Sequence, residues 1–316
     1  PRVVDLLVES GHSVTVFHRG NSKLKQHVQQ ILGDRNELSQ HQQALQGVQA
    51  DVVLDMIPHQ RHHAQSLLQT LAGHAGRLVA ISSANIYHGF AVFTGDAPPP
   101  VTTQPLREDS PIREQPVPGD DKASVEQVLL HQDLLPATAL RLPMVYGPGD
   151  FQHRLHDILR RIVDGRRINL LEQGLAAARL PRGYVDNVAH AIFLAVTDNA
   201  AAGIYNVAED EPPSELEWTQ QVGAACGWEG EVRALPMERC PDHLQHGLQT
   251  AQCIAVDSTR IRAELDYVEP VLRDEAIRRT VAWELANPPE PALPPIDYAA
   301  EDHCLAHDAG GTGAPH

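Results

Sequence analysis

Arg77-Leu78-Val79-Ala80-Ile81-Ser82-Ser83-Ala84-Asn85-Ile86-Tyr87 is the stretch whose reading decides how this chain folds. Its opening, Arg77 to Ser82, is mostly apolar and reads as a strand that a pair of serines brings to a close. Val14 to Phe17, Asp51 to Asp55 and Thr138 to Leu142 are runs of the same type. Short apolar strands of this kind suit a parallel sheet buried on both faces. Helical segments near residues 35–47, 59–72 and 120–133 alternate with them. That alternation predicts βαβ units with right-handed crossovers, hence a doubly wound α/β domain.

Working outward, Val3, Leu6 and Leu7 lie at helical spacing, Gly11 suits a helix C-cap, and Ser13 to Phe17 follows as a strand. In a dinucleotide-binding sheet such a helix and strand come after a first strand and a glycine-rich turn. The reading therefore expects roughly 10 to 15 residues, carrying that strand and turn, ahead of Pro1. Gly89 to Pro118 is rich in Pro and polar residues and is expected to be a long surface loop near a substrate cleft. From Gly149 onward helices and short strands are mixed. Ser214-Glu215-Leu216-Glu217 is a capping-box start with Gly227 as the stop, and a last helix is expected over Arg273 to Ala286. Beyond Asn287 the composition predicts a disordered tail. The expected division is a dinucleotide-binding domain over 1–148, a partly interleaved smaller lobe over 149–286 and a tail over 287–316.

Composition bounds the class. The chain has 316 residues, 42% of them hydrophobic and 21% charged, which is ordinary for a soluble globular protein. No run approaches the ~20 apolar residues of a membrane helix. With 25 basic against 41 acidic residues and a net charge of −16, a nucleic-acid-binding surface is not expected. Cys226, Cys240, Cys253 and Cys304 show no disulfide framework, so a reduced, cytoplasmic setting is expected. Cys240, His243 and His246, with Cys253 beyond, match no standard zinc spacing, and no metal is expected. His59, His62 and His63 read as a solvated helix face.

Hydride chemistry on a carbinol or carbonyl needs an oriented oxygen and a general acid/base within hydrogen-bond reach. A Tyr phenol of pKa ~10 can serve if a neighbouring Lys cation lowers it, and one helical turn between the two achieves this. Ser83 closes its strand where it could orient a substrate oxygen, and Lys122 opens a helix with Val125, Val128 and Leu129 as its apolar stripe. The residue four before Lys122 is Pro118, whose side chain can neither give nor take a proton. No other Tyr lies between Tyr87 and Tyr146, which themselves read as packing residues. Singly, Ser82-Ser83 would be a strand-to-loop turn and Lys122 a solvated lysine; their joint order carries the functional reading.

Ile81 to Tyr87 together with Gly119-Asp120-Asp121-Lys122 resembles the active-site framework of the extended short-chain dehydrogenase/reductase superfamily, in its NAD-dependent epimerase/dehydratase branch. Ala139-Leu140-Arg141-Leu142-Pro143-Met144-Val145-Tyr146-Gly147-Pro148-Gly149-Asp150 is similar to that family's next landmark, with Leu142 where a Pro is usual and Pro143 one place later. Arg182 to Ala189 and Ile204 to Ala208 resemble the segments that follow. The resemblance implies a Rossmann-like domain with a smaller C-terminal α/β substrate lobe, acting on a nucleotide sugar or a related small carbonyl or carbinol. It implies that Ser83 orients substrate, that Lys122 binds the nicotinamide ribose, and that Asn85, Tyr146 and Arg182 contact substrate. The acid/base would be rebuilt from substrate, water or a loop residue such as Asp120 or Asp121. For the cofactor, the resemblance places Asp34 and Arg35 near the adenine, and Ile57, Pro58, Ser82, Leu142 and Pro143 along the dinucleotide. Strand two ends in His18-Arg19-Gly20 with no acid, which favours NADP(H) over NAD(H). A homodimer through the helix bearing Lys122 is a further implication. The rival readings are a non-catalytic NADP(H)-binding sensor or scaffold of the same fold, and a broken gene product that binds nothing.

Overall fold

The first half of the chain runs α1 (Arg2–Glu9), β1 (Thr15–His18), β2 (Gln29–Leu32), α2 (Gln42–Gly47), β3 (Ala50–Asp55), α3 (Arg61–Leu71), β4 (Ala75–Ser83), α4 (His88–Phe93), α5 (Lys122–Leu130) and β5 (Ala137–Leu142). The second half adds β6 (Met144–Tyr146), α6 (His156–Val163), β7 (Ile168–Glu172), α7 (Gln173–Ala177), β8 (Arg182–Tyr184), α8 (Val185–Thr197), β9 (Gly203–Asn206), α9 (Glu215–Ala225), β10 (Glu231–Leu235), α10 (Thr259–Leu265), α11 (Arg273–Ala286) and α12 (Tyr298–Gly310). This is a computed structural model, and it describes residues 1–21, 28–98, 101–291 and 293–310.

Every ladder among these strands is parallel, as the βαβ alternation predicts. β3, β4, β5 and β9 form one sheet in that order, and β1 pairs with β2 beside it. Period-two alternation along β4 makes the domain doubly wound. Leu78 and Ala80 pack with Ala64, Leu67 and Leu68 of α3 and with Val125 and Leu129 of α5. Val79 and Ile81, on the opposite face, pack with Val3 of α1 and with Val188, Ala191 and Ile192 of α8. Each Leu, Val or Ile among them contributes roughly 1.5–3 kcal/mol through burial. Because the strands are parallel, the loops after β3, β4 and β5 gather at one edge, where ligands of open α/β sheets bind.

In the lobe, β6 pairs with β8 and β7 with β10. Its core joins Tyr146 and Tyr184 to Leu155, Leu159, Trp218, Val222, Ala276, Ile277 and Val281. The capping box forms as read: the Ser214 hydroxyl accepts from Glu217 N, and the Glu217 carboxylate accepts from Ser214 N. Two expectations give way. The segment after Tyr87 begins with helix α4 and anchors Leu106, only 4% exposed, against Ala84, Tyr87, Ala208 and Val256, so it is no open loop throughout. The tail is also not disordered throughout, for α12 docks on the lobe. Glu301 is fully buried there, accepts from Arg161 (2.7 Å) and pairs with His243 (3.0 Å), while Leu305 joins Leu170, Leu235 and Cys240. Composition alone misses this, because the anchoring partners lie far away in sequence.

Candidate functional site

The end of β4 and the start of α5 build the site. Ser83 caps the turn Ala84–Ile86, its hydroxyl accepting from Asn85 N at 3.2 Å. Ser82 points to the other side of the strand, is 4% exposed, and its hydroxyl has no partner among the described residues. Asp121 is the N-cap of α5, its carboxylate accepting from Ser124 N at 3.1 Å. Ser83, Asn85, Asp120, Asp121 and Lys122 line one cleft together with Arg113 and Pro116. Lys122 is buried; its Nζ donates to the Ile81 carbonyl at 3.2 Å and lies 3.9 Å from Asp120 Oδ1. Burial holds the Lys122 ammonium below its ordinary pKa, while Asp120 and Asp55 oppose that shift.

Pro118 occupies more than a vacant side-chain position. Asp120 N donates to Val117 O at 2.9 Å, and Gly119 has φ +81°. A Pro followed by a Gly of positive φ inside such a closure is the signature of a type II turn. The helix starts only at Lys122, so residue 118 lies outside it. A phenol at 118 would therefore not stand one helical turn from the lysine. The turn instead delivers Asp120 to the cleft, where its carboxylate pairs with His59 Nδ1 at 2.8 Å.

The expected solvated histidine face holds at the exposed His59 and His62, but His63 is buried, and His59 and His63 are hydrogen-bonded. His59 sits ahead of α3, and its carbonyl accepts from Asp121 N at 2.7 Å. His63 is 8% exposed; its Nδ1 accepts from His59 N (3.1 Å), and its Nε2 meets Asn36 Oδ1 (2.9 Å). Burial first, then the nearby Arg35 cation, lowers the His63 pKa to about 4. His59 meets Asp120 because α3 and α5 pack side by side, which spacing within one segment cannot reveal.

The residues read as cofactor contacts spread along the same edge. His18 Nε2 meets Gln30 Oε1 at 2.9 Å, and Arg19 is exposed. Asp34 caps the next turn by accepting from Asn36 N at 2.8 Å. Arg35 is ion-paired with Asp55, yet its Nε and Nη1 are buried without a partner among the described residues. Met56 and Ile57 are 46% and 51% exposed beside the buried Pro58. Leu142 packs with the sheet core, and Pro143 is pressed against Gly183, where a Cβ would lie 2.9 Å from the proline ring.

Asn85 lines the cleft, whereas Tyr146 and Arg182 are engaged elsewhere. Tyr146 donates to Glu209 at 2.8 Å, and burial raises its pKa. Arg182 pairs with Glu215 at 2.6 Å and lies over Trp218. Beneath the cleft, Arg141 donates from Nε (3.0 Å) and Nη2 (2.7 Å) to the two oxygens of Glu126, and from Nη1 to the Tyr87 hydroxyl (2.9 Å). Tyr87 in turn donates to Asn206 at 2.6 Å, and burial pushes its phenol up to about 12. The reading missed this network. Its one signal was Glu126 four residues after Lys122, a spacing that places both on one helix face. Of the candidate zinc residues, Cys240 donates to Leu235 O, His243 meets Glu301, and His246 lies 3.6 Å from Glu172.

A family profile described as "NAD dependent epimerase/dehydratase family" matches residues 1–208. A dTDP-glucose 4,6-dehydratase of Streptomyces griseus is 28% identical over 230 residues, 70% of this chain and 63% of that protein. The chain thus spans less than two thirds of the length of that relative. Among solved structures, the Bordetella bronchiseptica enzyme WbmG in complex with NAD and UDP matches at a TM-score of 0.67 and 16% identity, over 90% of this chain and 91% of that one. The UDP-glucose 4-epimerase of Thermotoga maritima with UDP-glucose matches at 0.66 and 17%, over 90% and 94%. At these identities the likeness is one of fold.

Proposed function

The chain belongs to the NAD dependent epimerase/dehydratase family, and from that premise we propose that it binds a nicotinamide dinucleotide and carries out redox chemistry at a carbinol of a nucleotide sugar or related small molecule. The observation that carries this reading is that Ser83 and Lys122, far apart in sequence, line one cleft at the carboxyl edge of the parallel strands. The residues around it fit a dinucleotide. The Ser82 hydroxyl and two Arg35 nitrogens are buried without partners among the described residues, and Met56 and Ile57 leave an apolar surface for a flat ring. When bound, the nicotinamide supplies the hydride acceptor and donor. Lys122 would hold the ribose and contribute positive charge, and Ser83 would turn from its cap to hold the substrate oxygen. Exposed Arg19 at the end of β1, with no acid beside it in His18-Arg19-Gly20, favours NADP(H) over NAD(H).

Pro118 favours a second reading, a cofactor-binding sensor without turnover. One experiment separates the two. The full natural protein is titrated with NADPH and NADH by fluorescence, then loaded with the oxidised cofactor and given UDP- and dTDP-linked hexoses while absorbance at 340 nm is followed. Tighter binding of NADPH and a rise at 340 nm are expected. Binding with no rise for any sugar supports the sensor, and absence of binding removes both readings.

A further inference from the structure

We propose that Asp120 is the general acid/base of this cleft and that His59 is its positioning partner, replacing the proton-transfer role that Pro118 cannot perform; this rests on the redox reading above. Of the two acidic residues in the loop, the structure distinguishes one. Asp121 spends its carboxylate on the α5 cap, accepting from Ser124 N. Asp120 is half-buried, lines the cleft with Ser83 and Lys122, and has Lys122 Nζ at 3.9 Å. Its Oδ1 is held by His59 Nδ1 at 2.8 Å, which leaves Oδ2 without a recorded partner among the described residues. The loop is fixed from both sides. The Val117–Asp120 turn closes it, and Asp121 N donates to the His59 carbonyl at 2.7 Å.

An imidazole bonded to a carboxylate orients it, as paired groups do in triads of this logic. His59 is 48% exposed at its side chain, so it can exchange protons with water while Asp120 faces substrate. In the oxidising direction, the substrate O–H bond breaks as its proton passes to the Asp120 carboxylate. The electron pair left on oxygen would form the carbonyl as the carbinol carbon gives up its hydride, for which a bound oxidised nicotinamide would supply the acceptor. Return of the proton from Asp120 completes the reverse step. A positioned acid/base of this kind contributes typically 10²–10⁴-fold in rate.

The test uses the full natural protein with Asp120→Asn, His59→Gln and the His59→Gln/Asp120→Asn double variant. Both sites are partly solvated, and matching melting curves check folding. NADPH affinity is expected to stay within about threefold in every variant, while 340 nm reduction by a responsive nucleotide sugar falls at least ~100-fold for Asp120→Asn. His59→Gln is expected to fall ~10-fold or more, and the double variant no further than Asp120→Asn alone, since residues acting as a unit are non-additive. A readout free of cofactor and turnover accompanies it: acylation of His59 by diethyl pyrocarbonate, followed by mass spectrometry. Saturating nucleotide sugar should slow that acylation several-fold, and Asp120→Asn should change its rate. Asp120→Asn within threefold of the unsubstituted protein, with the sugar still turning over, overturns the assignment and leaves the redox reading standing. Unaltered His59 acylation in Asp120→Asn removes His59 from it. If the unsubstituted protein binds cofactor but no sugar reduces it, the redox reading fails and this assignment falls with it.

Discussion

Successive turns of α5 are held in opposite ways. At Glu126 every charged group is answered: both carboxylate oxygens take Arg141, whose remaining nitrogen reaches Tyr87 and the Glu108 carbonyl. At Lys122 one ammonium has a single backbone carbonyl at 3.2 Å and a carboxylate no nearer than 3.9 Å. A buried polar network that is fully satisfied fixes structure; one left open is costly unless something binds there. The lower turn therefore reads as a brace and the upper one as a receptor.

The brace can be broken most severely. Glu126→Ala leaves the Arg141 guanidinium, 1% exposed, without its counter-ion. Loss of one partner of such a pair costs about 3–5 kcal/mol. Denaturant unfolding should show that loss, and a cost below about 1 kcal/mol would mean the Glu126 turn is no brace. Replacing the pair together should cost less than either single change, because no orphaned charge remains.

The turn ahead of the helix should respond next. Gly119→Ala forces an L side chain into φ +81°, at an expected cost of about 1–2 kcal/mol. It should also lower turnover by loosening Asp120. Pro118→Tyr is expected to destabilise by a similar or smaller amount and to raise 340 nm reduction not at all, since position 118 stands outside α5. A gain in turnover with the tyrosine would show that the helix can lengthen by a turn, and would break the contrast between the two ends. Lys122→Met sharpens it from the other side. Because burial already disfavours the ammonium, the melt should move by less than about 1 kcal/mol, while NADPH affinity falls at least tenfold.

How much of this could be read in advance depends on the distance over which each feature is encoded. The strands, α3, α5 and the capping box of α9 are local patterns, and the ends found differ from those read by up to three residues. Ser83 and Lys122 were legible because their order along the chain carries a family likeness. The grip of His59 on Asp120 was not, since it joins residues whose contact exists only once α3 and α5 have packed. The same holds for α12, whose composition looks like a tail until Arg161 and His243 meet Glu301. Turn chemistry was legible and misjudged: Pro118-Gly119 states a type II turn outright, and reading it only as a missing tyrosine hid what the turn delivers.

The smallest expected effect concerns pH at the receptor end. Only a neutral His63 can accept from the His59 amide at Nδ1 while giving its Nε2 proton to Asn36. Its folded pKa, about 4, lies below the ordinary 6.5, so between those values the unfolded chain binds the extra proton. Stability from this group is therefore complete above about 6.5 and is lost as pH falls towards 4. His63→Gln removes the titration while keeping a side chain that can accept and donate. Melts of the two proteins at neutral pH and near pH 5 should diverge slightly, the unsubstituted protein losing more on acidification. Since protonation of His63 also frees the backbone of His59, turnover should fall over the same interval faster in the unsubstituted protein than in His63→Gln. Equal acid sensitivity in both would place the receptor's pH response elsewhere than at His63.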